Sequence, residues 1–286
     1  MTMADLRNLS RRVFQIASEL EPPRAPPRET ASDGPPSDQA RRQLQARAYA
    51  AVLVELGVLD DERNVYVDLG AGSGLVSAEI RAALPRAGGG QFILVDQRDK
   101  PPPDDAMCRL CADIATLGSA AELRRAAHAA WPSGAPVVVV ANHLCGGALD
   151  RSIELFAGER ALAAFCAATC CHDKAGWATY CNREFVLALG LGEAEFGQLC
   201  AWSALAPRRN KPPDERARVR DAARALRAAS LDECERLGGA CRLIIDTGRR
   251  LRLEAGGLAT HLRCHVPFEV TADNVLIVAS RPSAVR

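Results

Sequence analysis

The stretch VYVDLGAGSG, residues 65–74, runs from a β-rich pentapeptide into glycines set at every second position. Val65–Leu69 predicts a strand and residues 76–84 a helix, and the glycines between them permit a sharp turn with backbone close to a ligand. Dinucleotide-binding loops place their third glycine after two intervening residues, and here Leu75 stands at that position. A nicotinamide cofactor is therefore disfavoured. Asp68 argues the same way, because a carboxylate at a strand end attracts a cation, such as the amino group of an amino-acid cofactor, and repels a pyrophosphate.

Downstream the alternation of strand and helix repeats, as in an open α/β sheet. FILVD with its leading residue, Gln91–Asp96, predicts a second strand and Cys108–Ile114 a third. Residues 136–142 predict a fourth, whose four consecutive valines suit a parallel strand covered on both faces. Helices are expected over 119–131, 149–156 and 231–254, and further strands over 161–169, 259–265 and 275–280. Upstream, residues 39–59 carry apolar side chains at three- and four-residue intervals and predict a helix with one apolar face. Asp96 closes the second strand, where a carboxylate can accept hydrogen bonds from both hydroxyls of a ribose. Asp113 follows the third, within reach of an adenine amino group. Asp68, Gly70, Ala71, Gly72, Gly74, Asp96 and Asp113, in that order, point to S-adenosylmethionine as the cofactor.

The 286 residues suit one large domain or two small ones. Hydrophobic residues at 48% and charged residues at 25% match ordinary globular chains and exclude wholesale disorder. A formal net charge of +1 means that any anionic partner must meet a local patch. The longest apolar run, residues 161–171, is too short to span a membrane. The 11 cysteines, an odd number in a long chain, fit reduced thiols in the cytoplasm or nucleus. Residues 1–38 are expected to form a short helix and a proline-rich, partly disordered linker, and residues 39–286 the catalytic domain. Pro207–Arg220 reads as a basic surface loop leading into a helix.

Three further strings narrow the function: ANHLCGGALD (141–150), CCHDKAGWATYCNREF (170–185) and LALGLGEAEF (187–196). With the glycine loop, FILVD, CRLIIDTGRRLRL (241–253) and DNVLIVASRP (273–282), the chain from about Gln39 onward resembles the eukaryotic tRNA 2′-O-methyltransferase family that modifies nucleotide four of the acceptor stem. The resemblance implies a Rossmann-like class I S-adenosylmethionine-dependent methyltransferase, with a seven-stranded, mostly parallel sheet and helices on both faces. It implies tRNA as substrate. Where the family has lysines in the glycine loop and before HLCG, this chain has Ser73 and Asn142. Asp173 and Ala175 replace a histidine and a cysteine that the family carries after CCH. Family members also carry small zinc-binding modules ahead of this domain, whereas the first cysteine here is Cys108. The expectation is that the domain captures RNA alone, that a protein partner supplies those modules' role, or that the chain is a shortened product.

Methyl transfer to a ribose hydroxyl requires alignment and a proton acceptor. Asn142 and His143, ending the fourth strand, are the first catalytic candidates, since imidazole suits proton transfer near neutral pH. His172, beside Asp173, is the second. Trp177 and Tyr180 could stack on a base. Lys174, Arg183, Arg208 and Arg209 could meet phosphates, with Arg216, Arg218 and Arg220, or Arg249, Arg250 and Arg252, extending the patch. A Lys-Asp-Lys-Glu tetrad cannot readily be built from the chain's widely separated lysines. No metal is expected: Cys108 and Cys111 form a CxxC without a second pair, and Cys170, Cys171, His172 and Cys181 form a looser group that reads as buried thiols. Two rival readings are a class I methyltransferase acting on another RNA or on protein, and a cofactor-binding subunit without catalysis.

Overall fold

The apolar runs that predict strands pair into a single sheet. The computed structural model describes residues 1–26, 37–86, 88–206 and 230–281. Its strands are β1 (Val65–Leu69), β2 (Gln91–Asp96), β3 (Cys108–Cys111), β4 (Val137–Ala141), β5 (Leu162–Ala168), β6 (Ala259–Cys264) and β7 (Val275–Ser280). They lie in the order β3-β2-β1-β4-β5-β7-β6. β1 to β5 are mutually parallel, and β7 runs antiparallel between β5 and β6. Strand order reverses between β1 and β4, and a ligand crevice opens beyond the carboxyl ends of the strands at such a point.

The helices of the described residues are α1 (Met3–Glu19), α2 (Asp38–Glu55), α3 (Leu75–Ala83), α4 (Ala120–Ala127), α5 (Gly147–Phe156), α6 (Arg183–Ala188), α7 (Glu193–Ser203) and α8 (Leu231–Glu254). Side chains alternate across a strand, so the valine-rich runs feed two cores. Val65, Val67, Ile93, Val95, Val137 and Val139 pack with Leu123 of α4, Ile153 of α5 and Leu253 of α8. Tyr66, Phe92, Leu94, Val138 and Val140 pack with Tyr49 and Leu53 of α2 and Ile80 of α3. Both faces are covered. No described helix is long and apolar enough to cross a membrane.

Several boundaries differ from the periodicity. β3 stops at Cys111 because Asp113 caps a short 3-10 turn over Ile114–Thr116. The helix expected to reach residue 131 ends at Ala127, where His128 takes a positive φ of 45°. Periodicity assigns nothing to residues 183–206, where α6 and α7 form. α7 buries Phe196, Leu199, Cys200 and Trp202 on one side, but its exposed side carries Ala194, Gly197 and Ala201, so the polarity contrast that would reveal a period is weak.

A third cluster joins Leu9 and Val13 of α1 to Phe196 and Leu199 of α7 and Leu237, Cys241 and Ile244 of α8. The N-terminal helix is thus docked on the body. Part of the proline-rich segment is fixed too: the Arg24 amide donates to the Leu262 carbonyl at 2.9 Å, and the Cys264 amide donates to the Arg24 carbonyl at 2.8 Å. Pro207–Arg220, with Arg208, Arg209, Arg216, Arg218 and Arg220, lies outside the described residues.

Candidate active site

The loop after β1 turns over the end of β2. Gly70 and Ala71 donate their amides to the Val95 carbonyl at 2.8 and 3.1 Å, and Gly74 donates to the Ala71 carbonyl at 2.7 Å. Gly70, Gly72 and Gly74 all have positive φ. At Gly74 the requirement is double: its φ is 77°, and a Cβ there would lie 2.6 Å from Leu94 Cδ2 and 2.7 Å from Pro103 Cδ. A side chain would therefore push the first turn of α3 off the sheet.

Above this loop opens a cleft of about 420 Å³ lined by Asp68, Gly70, Ala71, Gly72, Asn142 and His143, with Arg42, Arg98 and Lys100 adding positive charge. Two carboxylates at its base hold opposite preferences. Asp68 is 1% exposed, and burial pushes its carboxyl up to about 6 against the hydrogen bond that Ser77 Oγ donates at 2.8 Å. Burial also opposes the charge on Asp96. There the amides of Arg98 and Gly72, at 2.9 and 2.8 Å, and the Arg98 guanidinium outweigh it and hold the carboxyl below its ordinary range. Asp96 Oδ1 accepts both the amide and Nε of Arg98, while Oδ2 accepts the Gly72 amide and keeps a lone pair for a further donor.

A second cleft, about 450 Å³, is lined by Asp38, Arg41, Arg42, Gln45, Asn142 and His143. It shares Arg42, Asn142 and His143 with the first. His143 has φ 61°, uncommon for a residue with a side chain, and its ring is held from α2. With the Gln45 amide oxygen facing it, His143 Nε2 donates to Gln45 Oε1 at 3.0 Å, which leaves Nδ1 with its lone pair. Asn142 Oδ1 is buried without a hydrogen-bond partner, which is costly unless a ligand supplies the donor. Behind it, Tyr49 Oη donates to the Ala141 carbonyl at 2.6 Å and accepts from the Ala168 amide at 2.9 Å.

Asp68, Gly70, Ala71, Gly72, Asn142 and His143 are therefore brought together at the first cleft, and Asp96 beneath it. Others are not. Asp113 lines neither cleft; its carboxylate caps the turn, accepting from the Ala115 amide at 2.9 Å. His172 is 2% exposed and pairs with Asp246 of α8, its Nε2 lying 2.8 Å from Oδ2, while the neighbouring Asp173 is exposed. Arg249 is not a phosphate ligand: it is 1% exposed, and its Nη2 and Nε donate to Asp150 at 2.7 and 3.0 Å. Arg250 and Arg252 are paired with Glu254 and Glu154. Tyr180 is core, its ring 4.5 Å from that of Phe196 and its hydroxyl donating to the Ile245 carbonyl at 2.7 Å. Trp177 packs on Phe196 at 5.6 Å. Tyr180, buried with its hydroxyl satisfied, leaves no face for a base, whereas Trp177 is half-buried.

Arg183 is exposed and lines a larger cavity of about 910 Å³ with Arg151, Glu154, Asn182, Glu184 and Arg252. No strand end and no glycine loop reaches that cavity. Lys174 is exposed near three thiols. Of the cysteines grouped from sequence, Cys181 is buried near Asp150, and Cys145 takes its place beside Cys170 and Cys171. The Cys171 thiol is drawn down to about 5, first by the hydrogen bond from Cys170, with Lys174 adding to it. Sequence reasoning also missed Arg42, Gln45, Arg98 and Arg109, whose Nη2 donates to the Gly72 carbonyl at 2.7 Å. Only Arg98, two residues past the acid that ends β2, carried a local signal.

Strand order, a glycine loop at the point of reversal and an acid closing β2 define a class I methyltransferase fold. The family model described as Methyltransferase TRM13 matches residues 44–280, and the chain belongs to that family. A mouse relative, "tRNA:m(4)X modification enzyme TRM13 homolog", is 25% identical over an alignment covering 85% of this chain and 65% of its own length. The human protein of the same description is 24% identical with the same coverage. The Schizosaccharomyces pombe "tRNA:m(4)X modification enzyme TRM13" is 23% identical, covering 84% of this chain and 67% of its own. The chain thus spans about two thirds of the length of the curated relatives it matches.

Proposed function

We propose that the protein transfers a methyl group from S-adenosylmethionine to the ribose 2′-hydroxyl of nucleotide four in a tRNA acceptor stem. Support comes first from one observation: two adjoining clefts share Arg42, Asn142 and His143, one floored by the glycine loop and the other opening beside the histidine. A transferase needs such an arrangement, with a cofactor on one side of a shared wall and an acceptor on the other. Family membership and the relatives' descriptions as tRNA modification enzymes support the substrate.

The residues present fit the cofactor. Asp68 would take an ammonium group, the remaining lone pair of Asp96 Oδ2 a ribose hydroxyl, and the unpartnered Asn142 Oδ1 a further donor. When bound, S-adenosylmethionine supplies an electrophilic methyl group on a sulfonium. His143 Nδ1 would accept the acceptor hydroxyl's proton, while Gln45 holds the ring in the tautomer that leaves Nδ1 free. Arg42 and Lys100 would meet phosphate at the mouth of the first cleft. Residues 39–286 act as the catalytic domain in this reading, which places the protein in the cytoplasm or nucleus, where tRNA is met. A protein partner would supply additional RNA contacts.

Incubation of the purified protein with labelled S-adenosylmethionine and unmodified total tRNA, followed by nuclease mapping, tests the reading. A 2′-O-methyl group at nucleotide four is the expected product. Label at another position, in another RNA or in protein would overturn the substrate assignment. Cofactor binding without product, with and without a cell extract to supply partners, would favour a non-catalytic subunit.

A further inference from the structure

Four of the chain's eleven thiols act as small hydrophobes: Cys166, Cys200, Cys234 and Cys241 are buried in apolar core. Three are arranged otherwise. Cys145 lies in the loop leaving β4, Cys170 and Cys171 lie just past the end of β5, and the Sγ atoms of all three fall within 4.8 Å of one another. Those of Cys145 and Cys170 are 3.3 Å apart. Among the described residues no other three histidine, cysteine or acidic side chains converge this closely. We propose that Cys145, Cys170 and Cys171 form a three-thiolate site for a thiophilic divalent cation, zinc.

Chemistry and geometry both favour the ion. Two sulfurs each ~2.3 Å from a common zinc at a tetrahedral angle lie about 3.8 Å apart, between the 3.3 Å of the Cys145–Cys170 pair and the 4.8 Å that bounds the group. The donors are all sulfur, with no carboxylate in the group, which selects zinc over magnesium or calcium. Three thiolates on a divalent cation leave one negative charge, and Lys174 is near enough to Cys145 and Cys171 to offset it. A disulfide would employ two of the sulfurs and leave the third unused. Three protein ligands leave one coordination position for solvent.

Such an ion would act on the loop that carries the candidate catalytic residues. Cys145 Sγ lies 3.6 Å from the His143 carbonyl oxygen, and Gly146 packs so tightly that a Cβ there would lie 2.6 Å from the Lys174 carbonyl oxygen. The metal would pin the β4–α5 loop, with Asn142 and His143, to the segment that follows β5. The site holds whether or not the substrate is tRNA.

The test uses the full chain, stripped of metal, kept reduced and titrated with Co²⁺ as a spectroscopic stand-in, followed by displacement with Zn²⁺. One equivalent of Co²⁺ with thiolate-to-cobalt charge-transfer bands is expected, together with zinc in the protein as isolated. Cys145→Ser and Cys171→Ser should weaken binding by at least about tenfold, and the double variant Cys108→Ser/Cys111→Ser should bind as the parent does. Circular dichroism establishes that each protein is folded. A folded parent without these bands, bands that survive both single variants or follow Cys108 and Cys111, or recovery of a Cys145–Cys170 disulfide in metal-free isolated protein would each overturn the proposal.

Discussion

Asp68 and Asp96 stand on neighbouring strands at one end of the sheet, yet burial governs the first and backbone amides govern the second. Asp68, raised to about 6 from an ordinary 3.8, holds its proton more tightly in the folded chain than in the unfolded one. Across the window from pH ~4 to ~6 the folded state therefore carries more protons, so this residue lowers stability as pH rises, by up to about 3 kcal/mol in all. Stability curves of the ligand-free protein and Asp68→Asn should converge near pH 4 and diverge toward pH 6, with the variant the more stable. Parallel curves would remove the burial argument. Asp96 has the opposite role: it ties Gly72 and Arg98 to the end of β2. Replacing it with alanine removes charge-assisted hydrogen bonds worth ~1.5–3 kcal/mol each. Asp96→Ala should weaken S-adenosylmethionine binding by roughly tenfold or more in calorimetry, with tRNA affinity far less affected.

Elements meet at the site through single side chains. α2 was readable as a helix, but the face it buries carries Gln45, Tyr49, Val52 and Leu53, whereas Ala51 and Glu55, which share the three- and four-residue spacing, are exposed. Its polar contributions were not readable: Gln45 reaches His143 across 98 residues of sequence, and the Tyr49 hydroxyl reaches Ala141 across 92. Tyr49→Phe keeps the ring packing but leaves the Ala141 carbonyl and Ala168 amide without their partner. A loss of about 1–3 kcal/mol in chemical denaturation is expected, together with weaker cofactor binding, because Ala141 precedes Asn142. Unchanged stability would show that water replaces the hydroxyl. α7 lay beyond the reach of periodicity, because its exposed face carries Ala194, Gly197 and Ala201, which give its buried stripe little polar contrast.

Across the whole molecule, Arg249 binds the helical layer together. Its guanidinium joins Asp150 of α5 to Asp246 of α8, and Asp246 in turn holds His172 in the segment after β5. Burial works against the Asp246 charge, and His172 and Arg249 outweigh it, holding the carboxyl low. Arg249→Met should cost about 3–5 kcal/mol, since it strands buried carboxylates rather than merely deleting a contact. The double variant Arg249→Met/Asp150→Leu should recover part of that loss in the same denaturation assay. Equal stability of the single variant and the parent would show that water or a rearranged partner takes up the charge.

The sequence alone determined the strands, the glycine turn and the acid that closes β2, because each is a local pattern. A β-branched run, a glycine at a positive φ and a carboxylate beside a strand end need only near neighbours to act. It also carried the motifs from which the family could be recognised. Only the tertiary structure decided which polar residues meet. It turned His172 toward Asp246, 74 residues away, rather than toward Asp173 beside it, because adjacent side chains leave the backbone in different directions. Arg249 and Tyr180 became internal partners instead of RNA contacts, and Cys145 joined Cys170 and Cys171. Hydrogen bonds and ion pairs act over a few ångströms, so chain separation does not limit them once the sheet and helices bring distant residues together.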